Sequence, residues 1–595
     1  MTTNRRHALR WHGVLFSLIM AAYAPWVNGV VIGDPDGVNG YFDTTMSYGA
    51  AWRAASRDAH GVGADNGGKG SNNADDGNLN YDKGKLVSSR LSATHELDLR
   101  YRNFEFFGRA NYFYDFENFN RTGPAPVVGG VRGSGYTLGD RAQELVGRDF
   151  RLLDAYLKGT FSLGERTTQV RLGNQVVSWG ESFYIPNGIN VINPVDVAKL
   201  RAPGSELKEA LLPTPMLWAS QEISSNVHAE AYVAAQFKKI EIDPRGTFFS
   251  TTDIVGGDGH TLYLTGPDQH FPPAPFGTQT ISRSSDRDAP DHGEYGLALR
   301  ILAPALKDTE FGLYYVNYHY RAPIVSLHRG GVNVAGIPFP PFDGSGAPTS
   351  AAADYFVEYP KNVRLYGVSF NTTGPAGIAL QGEYSYRPNL PLQVSVGELI
   401  LAAIGLPNSV TGLGAAANSV PVGTEISGYR RVSMQQAHLS ASKGFSHVLG
   451  ADQLVVFGEA AYTRLGLDAG VNFAGYGETT PAGSFGAPTS SAGQGFATRN
   501  SWGYQVSFRA DYNNAIGPVQ LSPHLAFSQA VRGVSPTWNE GTKSVSVGLS
   551  ATFKGQWRGD ISYTGFWGGR TFNDSVDTNG LRDRDFVSAS LSYAF

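Results

Sequence analysis

Ionisable side chains in this 595-residue sequence recur at every second position, between apolar and aromatic ones. Glu105, Arg109 and Asp115 alternate with Phe104, Phe106, Ala110, Tyr112, Tyr114 and Phe116. Arg100 and Arg102 stand opposite Leu97, Leu99 and Tyr101, and Arg509 and Asp511 stand opposite Trp502, Tyr504, Val506, Phe508, Ala510 and Tyr512. Lys158, Arg171, Glu230, Lys238, Glu383, Arg387 and Glu459 fall on the polar parity of further segments. Period two places each set on one face of a strand. A charged face backed by a greasy one suits a pore wall, where opposing charges create a transverse field and a single sign would select ions. Both signs occur, so strong cation or anion selectivity is not implied. The plainer use of the same charges is to solvate a lumen and to pair across strands.

Bond-making chemistry finds less support. His95, His228, His319, His438 and His524 lie on separate segments, no GxSxG stands in a strand–turn–helix context, and HExxH is absent. There is no Cys, hence no thiolate nucleophile or metal site. The stretch Asp65 to Asn78, DNGGKGSNNADDGN, offers oxygen ligands for calcium but lacks the spacing of a calcium loop, and is expected to be a surface loop. No catalytic residue, cofactor or metal is assigned, and an enzyme is not expected.

The alternation demands strands between two different solvents. The C-terminal VSASLSYAF puts Val587, Ala589, Leu591, Tyr593 and Phe595 on one face and Ser588, Ser590 and Ser592 on the other. Tight connections (Lys554 to Gln556, Asn514 to Pro518) alternate with long ones rich in Gly, Ser, Pro and Asn (Gly568 to Asp585, Ala530 to Lys543, Arg464 to Ser501). This predicts an all-β transmembrane antiparallel barrel of about 18 strands (16 to 20), with short periplasmic turns, long extracellular loops and infolded short helices. Both termini then lie in the periplasm and the strand count is even. A soluble sandwich or propeller would have to hide every greasy face, and no blade-length repeat is present. Arg5, Arg6 and Arg10 before the apolar run Val14 to Ala24 mark residues 1–29 as a signal peptide, cleaved after Gly29, which leaves 30–595 as one barrel domain. The expected setting is the outer membrane of a Gram-negative bacterium, in contact with lipid and lipopolysaccharide. The strand ending in Phe595 would address the outer-membrane assembly machinery. A net charge of −4 gives no footprint for nucleic acid.

Two segments, about 180–213 and 388–434, are expected to fold inward. In the first, Trp179, Glu181, Tyr184, Pro186, Asn187, Asn190 and Asn193 are the gate candidates, with Asn193 capping a helix that starts at Pro194 and a second short helix starting at Ser205. In the second, Leu399, Ile400, Leu401 and Ile404 belong to an almost uninterrupted apolar helix extending to Leu406. Such a helix must bury itself in the mouth, lie on the outer leaflet or line a greasy route.

The segments Leu172 to Pro213 (LGNQVVSWGESFYIPNGINVINPVDVAKLRAPGSELKEALLP), Tyr359 to Phe370 (YPKNVRLYGVSF), Gly382 to Gln393 (GEYSYRPNLPLQ) and Gly77 to Arg90 (GNLNYDKGKLVSSR) are similar to those of the proteobacterial outer-membrane family catalogued as domain of unknown function thirteen-oh-two. The resemblance covers essentially the whole mature chain. It implies a barrel that handles hydrophobic or amphipathic compounds together with inner-membrane exporters of the resistance-nodulation-division type, and it supplies no catalytic residues. The expected function is a channel for small hydrophobic or amphipathic compounds, taken up or exported. The alternatives are a porin for polar solutes and a surface receptor or adhesin on a sealed barrel. An apolar tunnel beside Leu399 to Leu406 would favour the first, and a continuous polar channel the second.

Overall fold

A computed structural model of the protein describes residues 29–34, 37–123, 127–128, 131–133, 135–265, 279–330, 353–404, 408–411, 419–475, 495–572 and 576–595. Of the segment 1–29, expected to be a signal peptide, all but Gly29 lies outside them, as do Leu406 and part of 388–434. Eighteen strands form one closed antiparallel sheet. They are β1 (Asn39–Arg53), β2 (Leu86–Tyr101), β3 (Phe104–Asp115), β4 (Arg148–Leu163), β5 (Arg166–Gln175), β6 (Thr214–Ser224), β7 (Val227–Ala234), β8 (Tyr295–Ala303) and β9 (Thr309–Tyr318). They continue with β10 (Val363–Thr373), β11 (Ala379–Gln393), β12 (Tyr429–Val448), β13 (Ala451–Leu465), β14 (Asn500–Ile516), β15 (Val519–Arg532), β16 (Thr542–Phe553), β17 (Trp557–Gly568) and β18 (Phe586–Ala594). Each pairs with its sequence neighbours, and β18 returns to β1 with Tyr593 opposite Met46 and Val587 opposite Trp52. The Phe595 N–H donates to Thr44 O at 2.9 Å and Phe595 O accepts from Thr44 N at 2.8 Å, so the last residue closes the ring. Beside that seam Val30–Gly33 continues along the same edge of β1.

The register separates two environments. Outward positions carry exposed Leu91, Phe106, Leu157, Leu172, Leu217, Leu297, Leu313, Val368, Leu439, Phe508, Val547 and Ile561. A closed ring with an apolar exterior is the form in which strands cross a bilayer, because every backbone group is paired and no edge meets lipid. Aromatic belts mark both rims. At the short-turn end Trp557 and Tyr593 lie 4.5 Å apart, with Phe595 5.5 Å from Tyr593. At the long-loop end Tyr295, Tyr315 and Tyr366 form a row with 6.1 and 5.3 Å spacings.

The alternation, which puts Leu153 on the outward parity of Ala155 and Leu157 and Phe237 on that of Val233, needs two corrections. Leu153 is buried rather than outward, because a bulge between the Gly108 and Ala110 pairings of β3 and β4 displaces it. β7 stops at Ala234, so Phe237 leaves the lipid face to pack with Tyr359 and His319 in a loop, and Lys238 belongs to that loop. At the long-loop end a small sheet joins Thr261–Thr265, Gln279–Arg283, Asp354–Glu358, Ile324–His328 and Glu425–Ile426. Among the described residues no helix is long and apolar enough to cross a membrane. The helices are short: α1 (Val197–Arg201), α2 (Leu207–Ala210) and α3 (Val396–Ala403) serve the loops described next.

Candidate functional site

The loop between β5 and β6, residues 176–213, enters the barrel and is held there by strand carboxylates. Glu383 on β11 accepts hydrogen bonds from the backbone amides of Glu181 (2.5 Å), Ser182 (3.1 Å) and Ile189 (2.8 Å). Glu459 on β13 accepts from Phe183 (3.2 Å), Tyr184 (2.7 Å) and Ile185 (3.4 Å), with His438 Nδ1 3.1 Å away. A turn of chain presents its N–H groups as a concave cluster, and an inward carboxylate fills it as an anion would. Arg387 completes the clasp from the acceptor side, donating to Gly188 O at 2.5 Å and to the Tyr318 hydroxyl at 3.0 Å. Gln436 donates to Pro186 O at 3.0 Å, and the Asn187 amide to Thr537 Oγ1 at 3.0 Å.

The two ends of the loop are fixed separately. Trp179 is buried between Tyr232 and Tyr314, and its indole N–H donates to Glu230 at 2.8 Å. Glu230 also receives Arg300, which bridges to Glu310. Asn193 does not cap a helix. Its amide ties the loop's two legs together, accepting from Val177 N and donating to Gln175 O and Leu212 O. The cap of α1 is Asp196, which accepts from Lys199 N at 3.1 Å. Beyond it the chain crosses to β1, where a Cβ on Gly49 would lie 2.4 Å from Pro203 O, so glycine is what allows the loop to touch that wall. Arg90 and Thr94 of β2 then bind Glu209 at the end of α2. Arg321, which the sequence reading missed, pins the loop from the β9–β10 connection through Val191 O and Ile192 O and pairs with buried Glu294. Its only sequence signal is a charge placed directly after the aromatic end of β9.

The remaining candidates are dispersed. Arg100 pairs with Asp98, Lys158 with Glu105, Arg109 with Glu96 and Asp154, and Arg509 with Asp511. Arg171 stacks 4.0 Å above Trp218. Arg102 sits exposed in the β2–β3 turn, while Asp115 is buried at the end of β3, holding the start of the next loop through the amides of Glu117 and Asn118. Lys238 donates to Pro213 O. Asn190, at the loop's exposed edge, donates to Ser178. Glu181 is held beside Glu310 and Glu383, and burial pushes its carboxyl up to about 8.

The apolar helix does not line a route. Leu399 is 0% exposed, and α3 packs on Ile324–His328 within the hydrophobic centre of the loop layer, with Ile400 against it. Ser395 caps the helix, and Leu401 is buried with it. Open space lies elsewhere. The loop edge exposes Phe183, Tyr184, Leu200 and Leu207, the first two set edge-on to Phe457. A cavity of about 480 Å³ separates α1 and residues 242–252 from the wall of β15–β17. Val197, Phe249 and Phe566 line it together with Arg201, Lys543 and Ser544.

Among curated proteins none is similar to the chain. Several solved structures are. The outer membrane channel DcaP of Acinetobacter baumannii is 9% identical, with 95% of this chain and 99% of that one covered and a TM-score of 0.34. OccAB1 of the same organism is 10% identical, with coverage of 96% and 99% and a TM-score of 0.39. OpdK of Pseudomonas aeruginosa with vanillate is 8% identical, with coverage of 94% and 98% and a TM-score of 0.36. A family model described as "Protein of unknown function (DUF1302)" matches residues 10–595, and the chain belongs to that family.

Proposed function

We propose that the protein is an outer-membrane channel, its short turns in the periplasm and its loop layer outside, that passes small amphipathic solutes by facilitated diffusion past loop 176–213. The observation that carries this reading is the two-sided lining of the space beside the loop: Val197, Phe249 and Phe566 supply apolar surface next to Arg201, Lys543 and the hydroxyls of Ser528, Thr542 and Ser544. A solute with an apolar body and a polar end finds both partners there, as binding sites for such molecules require. Direction comes from the gradient, or from an inner-membrane exporter delivering cargo to the short-turn end. The hydroxyl faces of β16 and β18 support a second reading, a porin for polar solutes.

The purified protein in planar bilayers is expected to conduct in discrete steps. An aromatic carboxylate or amine should interrupt the current more often than a sugar of equal size. Equal interruption would favour the polar porin, and no conductance at any voltage would leave a sealed platform.

A further inference from the structure

The sheet hydrogen bonds of the barrel wall are interrupted beside β4. On one side β4 pairs with β3 from Arg148, opposite Tyr114, down to Gly159. On the other side, pairing with β5 begins only at Ala155, opposite Asn174. Residues 148–154 therefore present a free edge. Among the described residues no loop gives 149–154 a backbone partner, and the Asn174 amide, donating to Leu153 O, marks the foot of the gap. β5 turns away at that level. Gly173 has a φ of +134°, a conformation that other residues rarely adopt, and a Cβ on it would collide with Ala155 O, so glycine lets the chain leave the wall for loop 176–213. The free edge lies at bilayer depth, for Phe150 and Leu152, 69% and 59% exposed, continue the outward row of Leu157, and the Phe150 ring stacks 6.4 Å from Tyr112. Unpaired backbone at that depth persists only against protein or water-filled space.

Such space is present. A cavity of about 540 Å³ is lined by Tyr114, Arg148 and Phe150, of outward parity, together with Phe113, Asp149 and Arg151, of inward parity. A space that touches both faces of a sheet lies at its edge, where the lipid side and the lumen side communicate. What spans the gap is a side chain rather than a strand. Arg151 pairs with Asp149 on its own strand and reaches Asp196 at 3.2 Å and Glu241, in the β7–β8 loop, at 2.7 Å. Asp196 caps α1, and Val197 and Arg201 of α1 line the cavity beside β15–β17. The Arg151 cluster thus stands between the gap and the space on which the transport reading rests, and its ion pairs can part without breaking a hydrogen bond of the sheet. We propose that the free edge of β4 is one side of a lateral portal, latched by Arg151, through which amphipathic solutes pass between the lumen and the outer leaflet. The proposal rests on the channel reading and adds to it an exit into lipid. An apolar body finds Phe150, Leu152 and Leu172 on the lipid side, while a polar end stays with the charged cluster.

The test uses the full-length protein in cells and in planar bilayers. Arg151→Cys and Glu241→Cys supply the chain's only thiols, which a short bis-maleimide joins across the gap. The probe is N-phenylnaphthylamine, an apolar amine that fluoresces on reaching hydrocarbon. The unjoined double variant, its latch removed, should pass the probe from the medium into the membrane at least as fast as the wild type. Joining should slow that passage several-fold and leave the potassium chloride current in bilayers unchanged. The same reagent on either single variant should change neither readout, and heat-modifiable migration on a gel reports that each variant is a folded barrel. Passage undiminished by joining, or a current that falls in step with it, overturns the portal and leaves the channel standing. A wild type that conducts but does not pass the probe has the same meaning. A wild type that neither conducts nor passes the probe removes the channel reading and the portal with it.

Discussion

The lumen faces of β11–β13 and of β16–β18 come from antiparallel strands with the same alternation, yet they meet different surroundings. On the first, Glu383, Arg387, Gln436 and Glu459 lie under loop 176–213, with Arg387 1% and Gln436 0% exposed. On the second, Ser544, Ser546, Ser562, Ser588 and Ser590 face inward and are only half-buried. A charge that points into a barrel is therefore not thereby a pore charge. On the anchored wall charges are consumed in holding the loop, and the second wall keeps its space because small neutral residues, Ser544, Ser546, Ser562, Ser588 and Ser590, make up much of its inward face.

Removing both anchors should break this contrast most strongly. In Glu383→Ala combined with Glu459→Ala, six backbone amides lose their acceptor. At about 1–3 kcal/mol for each buried donor left unsatisfied, the loop should leave its seat. Single-channel conductance should rise several-fold and flicker, while the barrel stays folded; unchanged conductance would show that the loop does not constrict the lumen. Leu399→Ala should cost about 2–5 kcal/mol of local stability in the loop layer. Limited proteolysis should detect this as faster cleavage near 396–403, and conductance should stay the same because α3 faces neither wall.

The pH response sharpens the comparison. The folded state holds the Glu181 proton up to about 8, whereas an ordinary glutamate releases it near 4.5. The contribution to loop stability is thus complete below 4.5 and is lost as pH rises towards 8. Conductance noise should grow across that window and flatten in Glu181→Gln. The smallest effect belongs to the open wall. Ser546→Leu should change stability by no more than about 0.5 kcal/mol and lower conductance modestly, measured in the same bilayers.

The barrel was legible because a period of two between lipid and water cannot slip by one residue without exposing charge to hydrocarbon. The reading failed where a bulge or a strand end breaks that period, at Leu153 and Phe237. The helix cap went to Asp196 because Asn193 spends its amide on Gln175 O and Leu212 O, a choice that depends on neighbours brought together only by folding. The inward parity of Glu383 and Glu459 was visible, but their partners were not. The Ile189 amide is 194 residues from Glu383 and the Phe183 amide 276 from Glu459, and no local pattern records such a pairing.

The chain contains no Cys, so a single introduced thiol reports its own surroundings. The most direct test compares Ser546→Cys with Ser385→Cys, both inward positions, under a membrane-impermeant thiol reagent applied to the protein in bilayers. Fast labelling of Ser546→Cys that lowers the current, with Ser385→Cys protected beneath the loop, is the predicted result. Equal labelling rates, or faster labelling at position 385, would contradict it.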